Sequence, residues 1–426
     1  MNILIINHYA GSPRMGMEFR PYYFAREWIR MGHRVDIIAA DFSHLRRINP
    51  DVSRDFQEEI IDGIHYHWIK TRRYEGNGGQ RAITMAQFIG KLWLHTRRII
   101  KDMDPDVVID SSTYPLDTYI GQRIRKKSKK NVKVIHEVHD MWPISPVEIG
   151  GMSPKHPFIR VMQRGEDSFC RNSDKIVSLL PNAYEYLQEH GMSPEKFYHV
   201  ANGVVLEEWE TPEQLPKEHS NVFQRLKQEN RFIICFFGSH TRSYSLDYLI
   251  DAVKDLSDKK VAVVFIGNGN YKENLRNETH GWEDTFYFLP PIPKQSIPSL
   301  FNYIDAVYVA AVSNDMFRFG ICMNKLFDSM MGGKPILYAV NAPNNYIKEF
   351  DCGISVEAES AEALKAGILE LINLPEDVQQ RMGENGRNAA LSCFNYKVLS
   401  QKFMEILESE IKEKSHEGSF NEENSK

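Results

Sequence analysis

The chain has 426 residues, 42% hydrophobic and 26% charged, with 26 Gly and 20 Pro. That apolar content excludes disorder for the bulk of the chain and suggests about two or three domains. The net charge of −5 argues against a nucleic-acid binder, and it is uneven: residues 1–210 carry 29 Lys+Arg against 27 Asp+Glu, the rest 23 against 30.

No window approaches 18 uncharged apolar residues, so no transmembrane helix is expected. The opening run, Met1 to Asn7, lacks a basic leader and a small-residue cleavage site, and reads as a strand instead of a signal peptide. Cys170, Cys235, Cys322, Cys352 and Cys393 are widely spaced without a CxxC, which fits reduced thiols in a cytoplasmic protein and no Cys-built zinc site.

In chain order, strands are expected at Ile3–Asn7, Val35–Ala40, Ile64–Lys70, Val107–Asp110, Val132–Glu137 and Lys175–Leu179. A helix over Glu18–Met31 should stop at Gly32. The strands are continuous Val/Ile runs, as in a parallel sheet covered on both faces. A polar stretch around Glu207–Asn221, with Pro212 and Pro216, reads as a linker. A second α/β pattern follows, with strands at Phe232–Phe237, Val261–Ile266, Thr285–Phe288, Ala306–Ala310 and Pro335–Ala339. Its helices are expected near Ser245–Leu256, Ser296–Asn302 and Met323–Met331, and helical patterns dominate from Ala361 to Ile411.

Ligands of open α/β sheets bind beyond the carboxyl ends of strands, so the residues after each strand carry the functional reading. The first strand leads into His8–Met17, a glycine-containing loop that opens a helix and so offers an anion site. It has no GxGxxG and no Walker lysine. His139 follows the fifth strand beside Asp140 and Trp142-Pro143, where a side chain can reach a ligand, whereas His136 reads as a satisfied core residue. Arg242, after Gly238, can hold a phosphate in bidentate fashion. The Gly267-Asn268-Gly269 turn is weak evidence. The densest constellation is Phe317–Pro335, where Asn324, Lys325 and Asp328 open a helix that ends at Gly332-Gly333. One face there can offer a cation to a diphosphate and a carboxylate to a ribose; a solvated Lys–Asp pair is the structural alternative.

These pieces resemble the GT-B glycosyltransferases, specifically the retaining family 4, from Met1 to about Ile411. The matching motifs are Gly32-His33-Arg34-Val35, Asp104-Pro105-Asp106-Val107-Val108, His139-Asp140-Met141-Trp142-Pro143, Val200-Ala201-Asn202-Gly203-Val204, Ile266-Gly267-Asn268-Gly269 and Asn324-Lys325-Leu326-Phe327-Asp328. The resemblance implies an α/β fold of two Rossmann-like domains facing across a cleft. Their expected bounds are an acceptor-side domain at 1–208, a linker at 209–230 and a nucleotide-sugar domain at 231–394. A helix at 395–413 should cross back to the first domain, before a disordered tail at 414–426.

The resemblance also implies roles for individual residues. Gly16 and Gly238 lie near the donor, His139 approaches the transferred sugar, and Arg242 and Lys325 neutralise the diphosphate. Phe319, Gly320 and Ile321 match the loop whose backbone N–H groups face the β-phosphate and sugar. Asn324 opens the following helix, and Asp328 takes the place of the second acid of a paired-glutamate motif. Two positions depart from the family: Gly320 stands where the first acid belongs, and Tyr244-Ser245 replaces a Lys-Gly pair.

The expected activity is transfer of a hexosyl or N-acetylhexosaminyl group, with retention, from a nucleotide sugar carrying uridine diphosphate. The acceptor is a saccharide or lipid-linked, in cell-surface polysaccharide or glycoconjugate synthesis. Basic groups and a helix N-terminus can stabilise the leaving diphosphate, and no Asp-x-Asp-type cluster is read as a metal site, so no cofactor or metal is expected. Peripheral contact with the cytoplasmic face of the membrane is suggested by the basic run Arg123–Lys133 and the basic–apolar Ile83–Ile100, with a solvated helix face as the plainer reading. A nucleotide-sugar 2-epimerase and a non-catalytic nucleotide-sugar-binding partner of another transferase are the alternatives.

Overall fold

In the computed structural model, which describes residues 1–16, 19–76, 78–256 and 259–423, with side chains as far as Ser409, the chain forms two units. One comprises Met1–Ala201 with Tyr396–Lys426, the other Asn202–Asn395.

The first unit is built on eight strands: β1 (Asn2–Ile6), β2 (Arg34–Ala40), β3 (Gln57–Ile61), β4 (Ile64–Ile69), β5 (Val107–Asp110), β6 (Lys133–Val138), β7 (Lys175–Ser178) and β8 (Phe197–His199). They lie in the order β3-β4-β2-β1-β5-β6-β7-β8, all pairs parallel except β3 with β4. Strand order therefore reverses between β1 and β5, and this crevice is where such sheets take ligands. Helices cover the sheet because its strands are apolar on both faces. Leu4, Ile6, Ile38 and Val108 pack with Phe88, Leu92, Ile99, Ile120 and Ile124. The Arg20–Arg30 helix packs Phe24 and Trp28 against Phe403 of the C-terminal helix, and Trp28 donates its indole N–H to the Ser400 carbonyl at 3.2 Å. Gly32, at φ +88°, ends that helix with its N–H on the Ile29 carbonyl while His33 bonds back to Trp28.

The second unit has six parallel strands: β9 (Phe232–Phe237), β10 (Val261–Ile266), β11 (Phe286–Leu289), β12 (Ala306–Ala310), β13 (Ile336–Ala339) and β14 (Gly353–Ser355). Their order, β11-β10-β9-β12-β13-β14, reverses between β9 and β12. Ile234, Phe236, Val263 and Phe265 meet Leu249, Ile250 and Val253 in its core.

The sequence reading is corrected in several places. The stretch 209–230 is no bare linker: Lys217–Gln228 is a helix of the second unit, because His219, Phe223 and Leu226 recur at helical spacing and are buried together. The tail does not become irregular at 414; helix Tyr396–Glu423 carries the backbone on through a Glu/Lys-rich stretch without proline, and 424–426 lie outside the described residues. The helix expected from Glu18 begins at Arg20, Glu18 itself lying outside the described residues. His136 is stacked on Phe169 at 3.8 Å with Nδ1 lacking a partner, and burial pushes its pKa down to about 3. The basic run is no uniform cationic face, since Lys133 is buried in β6, Arg125 pairs with Asp174 and Lys130 with Asp104 and Asp106.

Candidate functional site

Each unit carries its own constellation at the carboxyl edge of its sheet. In the first, β6 ends at Val138 and hands over to His139, while β5 ends at Asp110 and hands over to Ser111. His139 Nε2 lies 2.9 Å from Ser111 Oγ and 3.0 Å from Glu137 Oε2. The Ser111 hydroxyl donates to that same carboxylate oxygen at 2.6 Å, and Arg20 Nε donates to the other at 2.9 Å. Arg20 also caps the Val200 and Ala201 carbonyls, at 2.8 and 2.7 Å. Burial alone would push the Glu137 carboxyl up, but Arg20, His139 and Ser111 together outweigh it and hold it far below the usual carboxylate range. Glu137 therefore stays ionised and accepts a hydrogen bond from the His139 Nε2–H, which fixes the orientation of the ring. Gly16, at φ +88°, turns the loop after β1, where an added Cβ would meet the Arg47 side chain at 3.0 Å.

The second constellation forms where β9, β10 and the Asn324–Met331 helix converge. Gly238 follows β9 at φ +142°, and a Cβ there would stand 2.9 Å from Lys325 Nζ. A Cβ on Gly267 would come within 1.9 Å of the Gly238 carbonyl oxygen. Two backbones thus press together at the sheet edge, and only glycine permits it. Lys325 Nζ sits 3.3 Å from the centroid of the Tyr244 ring and 4.3 Å from that of Phe236, with no hydrogen-bond partner. Burial pushes its pKa down to about 7. Arg242 is exposed on the short turn Arg242–Tyr244, and Asn324 is exposed at the start of its helix.

Asp328 lies one turn beyond Asn324, half-buried; burial, with Glu208 adding to it and Lys294 opposing, pushes its carboxyl up to about 6. Lys294 and Glu208 pair at 2.8 Å. The solvated Lys325–Asp328 pair considered from the sequence does not form, because the lysine turns into the aromatic box.

The loop before this helix departs from expectation. Phe319 is buried under the Arg318 guanidinium. The Gly320 N–H donates to the Phe317 carbonyl at 2.8 Å, and the Ile321 N–H to Asn344 Oδ1 at 2.8 Å. The N–H groups of Gly320 and Ile321 are therefore engaged inside the protein. An Asp-x-Asp triplet does exist at Asp104-Pro105-Asp106, but it stands at the amino end of β5, and Lys130 holds both carboxylates.

Sequence reasoning passed over Arg20, Ser111, Glu137, Asn344 and His240. His240 is fully buried with both ring nitrogens unpartnered, and its backbone N–H donates to the Asn268 carbonyl at 2.9 Å. A cation and an acid more than a hundred residues apart leave no local pattern, although Ser111 and Glu137 were findable as residues at strand ends.

Two parallel α/β sheets, each reversing its strand order, with a lysine in an aromatic box and the start of a helix at the carboxyl edge of one, place the chain among the two-domain α/β proteins. The family models for Glycosyltransferase Family 4 and for Glycosyl transferases group 1 match residues 15–208 and 218–389, and the chain belongs to this family. A probable glycosyltransferase, WbjE of Pseudomonas aeruginosa, is 22% identical over 204 residues, which cover 47% of this chain and 49% of that protein. The chain thus aligns with about half the length of that relative. Sucrose-phosphate synthase of Thermosynechococcus elongatus is similar in structure with a TM-score of 0.69 at 13% identity, covering 96% of this chain and 98% of that one. HepE of Anabaena, solved in complex with UDP, gives 0.66 at 16%, covering 96% and 100%. These likenesses show the fold, which is GT-B.

Proposed function

We propose that the chain is a retaining glycosyltransferase that moves a sugar from a uridine diphosphate donor to a saccharide or lipid-linked acceptor without a divalent metal. The observation that carries this reading is the Lys325 ammonium, unpartnered in its aromatic box beside Gly238. A buried cation without a counter-ion is costly unless an anion arrives, and the carboxyl edge of β9 is where a diphosphate would come. The uridine base rests on the relatives, among them HepE with UDP.

In this reading the bond between the anomeric carbon and the diphosphate oxygen breaks. The acceptor hydroxyl forms the new bond on the same face, and its proton passes to the leaving diphosphate oxygen. Lys325 and Arg242 stabilise the charge that builds on that oxygen, the task a metal would otherwise perform. Asp328 accepts hydrogen bonds from the ribose hydroxyls. His139, with its ring fixed by Glu137 and Ser111, orients the sugar being transferred. No helix among the described residues is long and apolar enough to cross a membrane, and the reading requires none.

The test is a panel of nucleotide sugars with and without candidate acceptors, monitored for free nucleoside diphosphate in the presence of a chelator. Release that depends on acceptor supports transfer. Release without acceptor, epimerised donor, or activity restored only by magnesium or manganese would contradict it.

A further inference from the structure

The first unit holds a cavity of about 780 Å³ beside the loop that follows His139. Asp140 and Trp142 form one wall, and the first turns of the Gly79–Leu94 helix form another. Its apolar lining includes Ala82, Met85, Pro146, Ile149 and Phe158. Ile149 is 63% exposed, so the apolar surface continues outward past the rim.

One guanidinium stands at this apolar space. Arg81 Nε donates to the Tyr9 hydroxyl at 3.1 Å, and its Cζ lies 5.2 Å from the Tyr9 ring centroid and 5.7 Å from that of Trp142. Two aromatic rings hold it in place before any ligand arrives. The Asp140 carboxylate and His156 Nδ1 are engaged along their own loop. Asp140 accepts from the Met141 N–H at 2.8 Å, from Ser145 Oγ at 2.9 Å and from the Trp142 indole at 3.2 Å. His156 accepts from the Phe158 N–H at 3.2 Å.

We propose that this cavity is the acceptor site, and that the acceptor is amphipathic: an apolar chain joined to a phosphate-type anion that carries the receiving saccharide. The proposal rests on the transferase reading above and commits to the acceptor class that reading leaves open. The walls take the chain, since apolar area removed from water is the main source of affinity in such a pocket. Arg81 takes the anion with its planar fork of donors. A neutral sugar alone, like an inorganic anion alone, leaves the apolar walls wet.

Calorimetric titration of the full chain with octyl phosphate below its micelle concentration, octanol, inorganic phosphate and, separately, uridine diphosphate tests this. Octyl phosphate is expected to bind more tightly than octanol, and inorganic phosphate not measurably. Arg81→Gln should lose about 10- to 100-fold in octyl phosphate affinity, the loss of one charge-assisted contact, with octanol unchanged. Ala82→Trp, at a partly exposed position, should fill the cavity and lose both ligands. Both variants should keep the uridine diphosphate affinity, which also reports that they are folded. Octyl phosphate that fails to bind, binds Ala82→Trp equally well, or binds no better than octanol or inorganic phosphate would overturn the acceptor assignment while the donor reading stands. Failure of uridine diphosphate and nucleotide sugars to bind the unaltered chain would instead remove the transferase reading.

Discussion

A lysine whose charge is weakened by burial in an aromatic box should make donor binding consume a proton. Burial places the Lys325 pKa at about 7 in the ligand-free protein, so the ammonium is about half formed at pH 7 and about 1% formed at pH 9. A diphosphate beside it restores an ordinary lysine pKa of about 10.4. Linkage then requires affinity to fall by about 50-fold between pH 7 and pH 9, or about 2.3 kcal/mol, with uptake of about half a proton at pH 7 rising towards one at pH 9. A nucleotide sugar is the right ligand, because its diphosphate is doubly esterified and lacks the phosphate ionisation near pH 6 that a free terminal phosphate shows. Titration in two buffers of different ionisation enthalpy at each pH reads the proton count directly. Lys325→Met, whose thioether suits the Phe236–Tyr244 box, should weaken binding at pH 7 by roughly 1.5–3 kcal/mol and abolish the pH dependence. The sign for folding is opposite. Because the folded pKa lies below the unfolded one, the unfolded chain binds more protons between about pH 7 and pH 10, and the ligand-free protein should gain stability over that window. Affinity that stays flat from pH 7 to pH 9, or an unchanged pH profile in Lys325→Met, would refute the placement of this cation against the donor.

The other expectations concern residues with separable tasks. Asp328→Ala should weaken nucleotide binding by roughly 1.5–3 kcal/mol, and since burial holds this carboxyl at about 6, the unaltered protein should lose affinity below pH 6 while the variant does not; calorimetry decides. His139→Ala should leave nucleoside diphosphate affinity unchanged and lower turnover by roughly one to three orders of magnitude, measured as initial rates; equal loss of both would contradict its role. Gly238→Ala should destabilise by about 1–2 kcal/mol through its positive φ and displace Lys325, so that thermal melts and donor affinity decline together. Arg20→Met should cost about 3–5 kcal/mol in chemical denaturation by leaving the buried Glu137 carboxylate without its guanidinium partner. In the unaltered protein the Glu137 contribution is present above about pH 4.5, the ordinary glutamate value, and is lost as pH falls below it, a dependence the variant should show less steeply.

Most strands were legible because both faces of a parallel sheet are apolar, which leaves continuous runs such as Val261–Ile266 and Phe232–Phe237 standing out from the chain. β3 was not, because its Gln57-Glu58-Glu59 start faces solvent at an edge. Yet Asp62-Gly63, both at positive φ, marks the hairpin to β4 and was visible as a turn signal. β8 and β14 are three residues each, too short for any periodicity. The helix at Lys217–Gln228 hid behind its polar composition, since only His219, Phe223 and Leu226 reveal its buried stripe. The site was legible where a residue follows a strand directly, as His139 and Gly238 do. It was illegible where function depends on direction: nothing in Asn324-Lys325-Leu326-Phe327-Asp328 says that the lysine folds back onto Tyr244 instead of pairing with Asp328. The engagement of the Gly320 and Ile321 N–H groups was equally hidden, because the partner of the second, Asn344, lies 23 residues on.

That last contact changes the character of the site. A loop that offers its backbone amides to a phosphate recognises shape, since several N–H directions must be met at once. Here the Asn344 side chain has taken up the Ile321 amide and also donates to the Ile321 carbonyl at 2.8 Å, closing a small amide ring across the loop. In the donor reading proposed above, anion recognition then falls to side-chain charge, the exposed Arg242 guanidinium and the buried Lys325 Nζ. Charge is forgiving of geometry and sensitive to medium: the Arg242 share fades within a Debye length of about 8 Å at physiological salt, while the Lys325 share, screened by two aromatic rings, does not. In that reading the pair divides the work between a long-range attractor whose strength the surroundings set and a short-range lock that they scarcely touch.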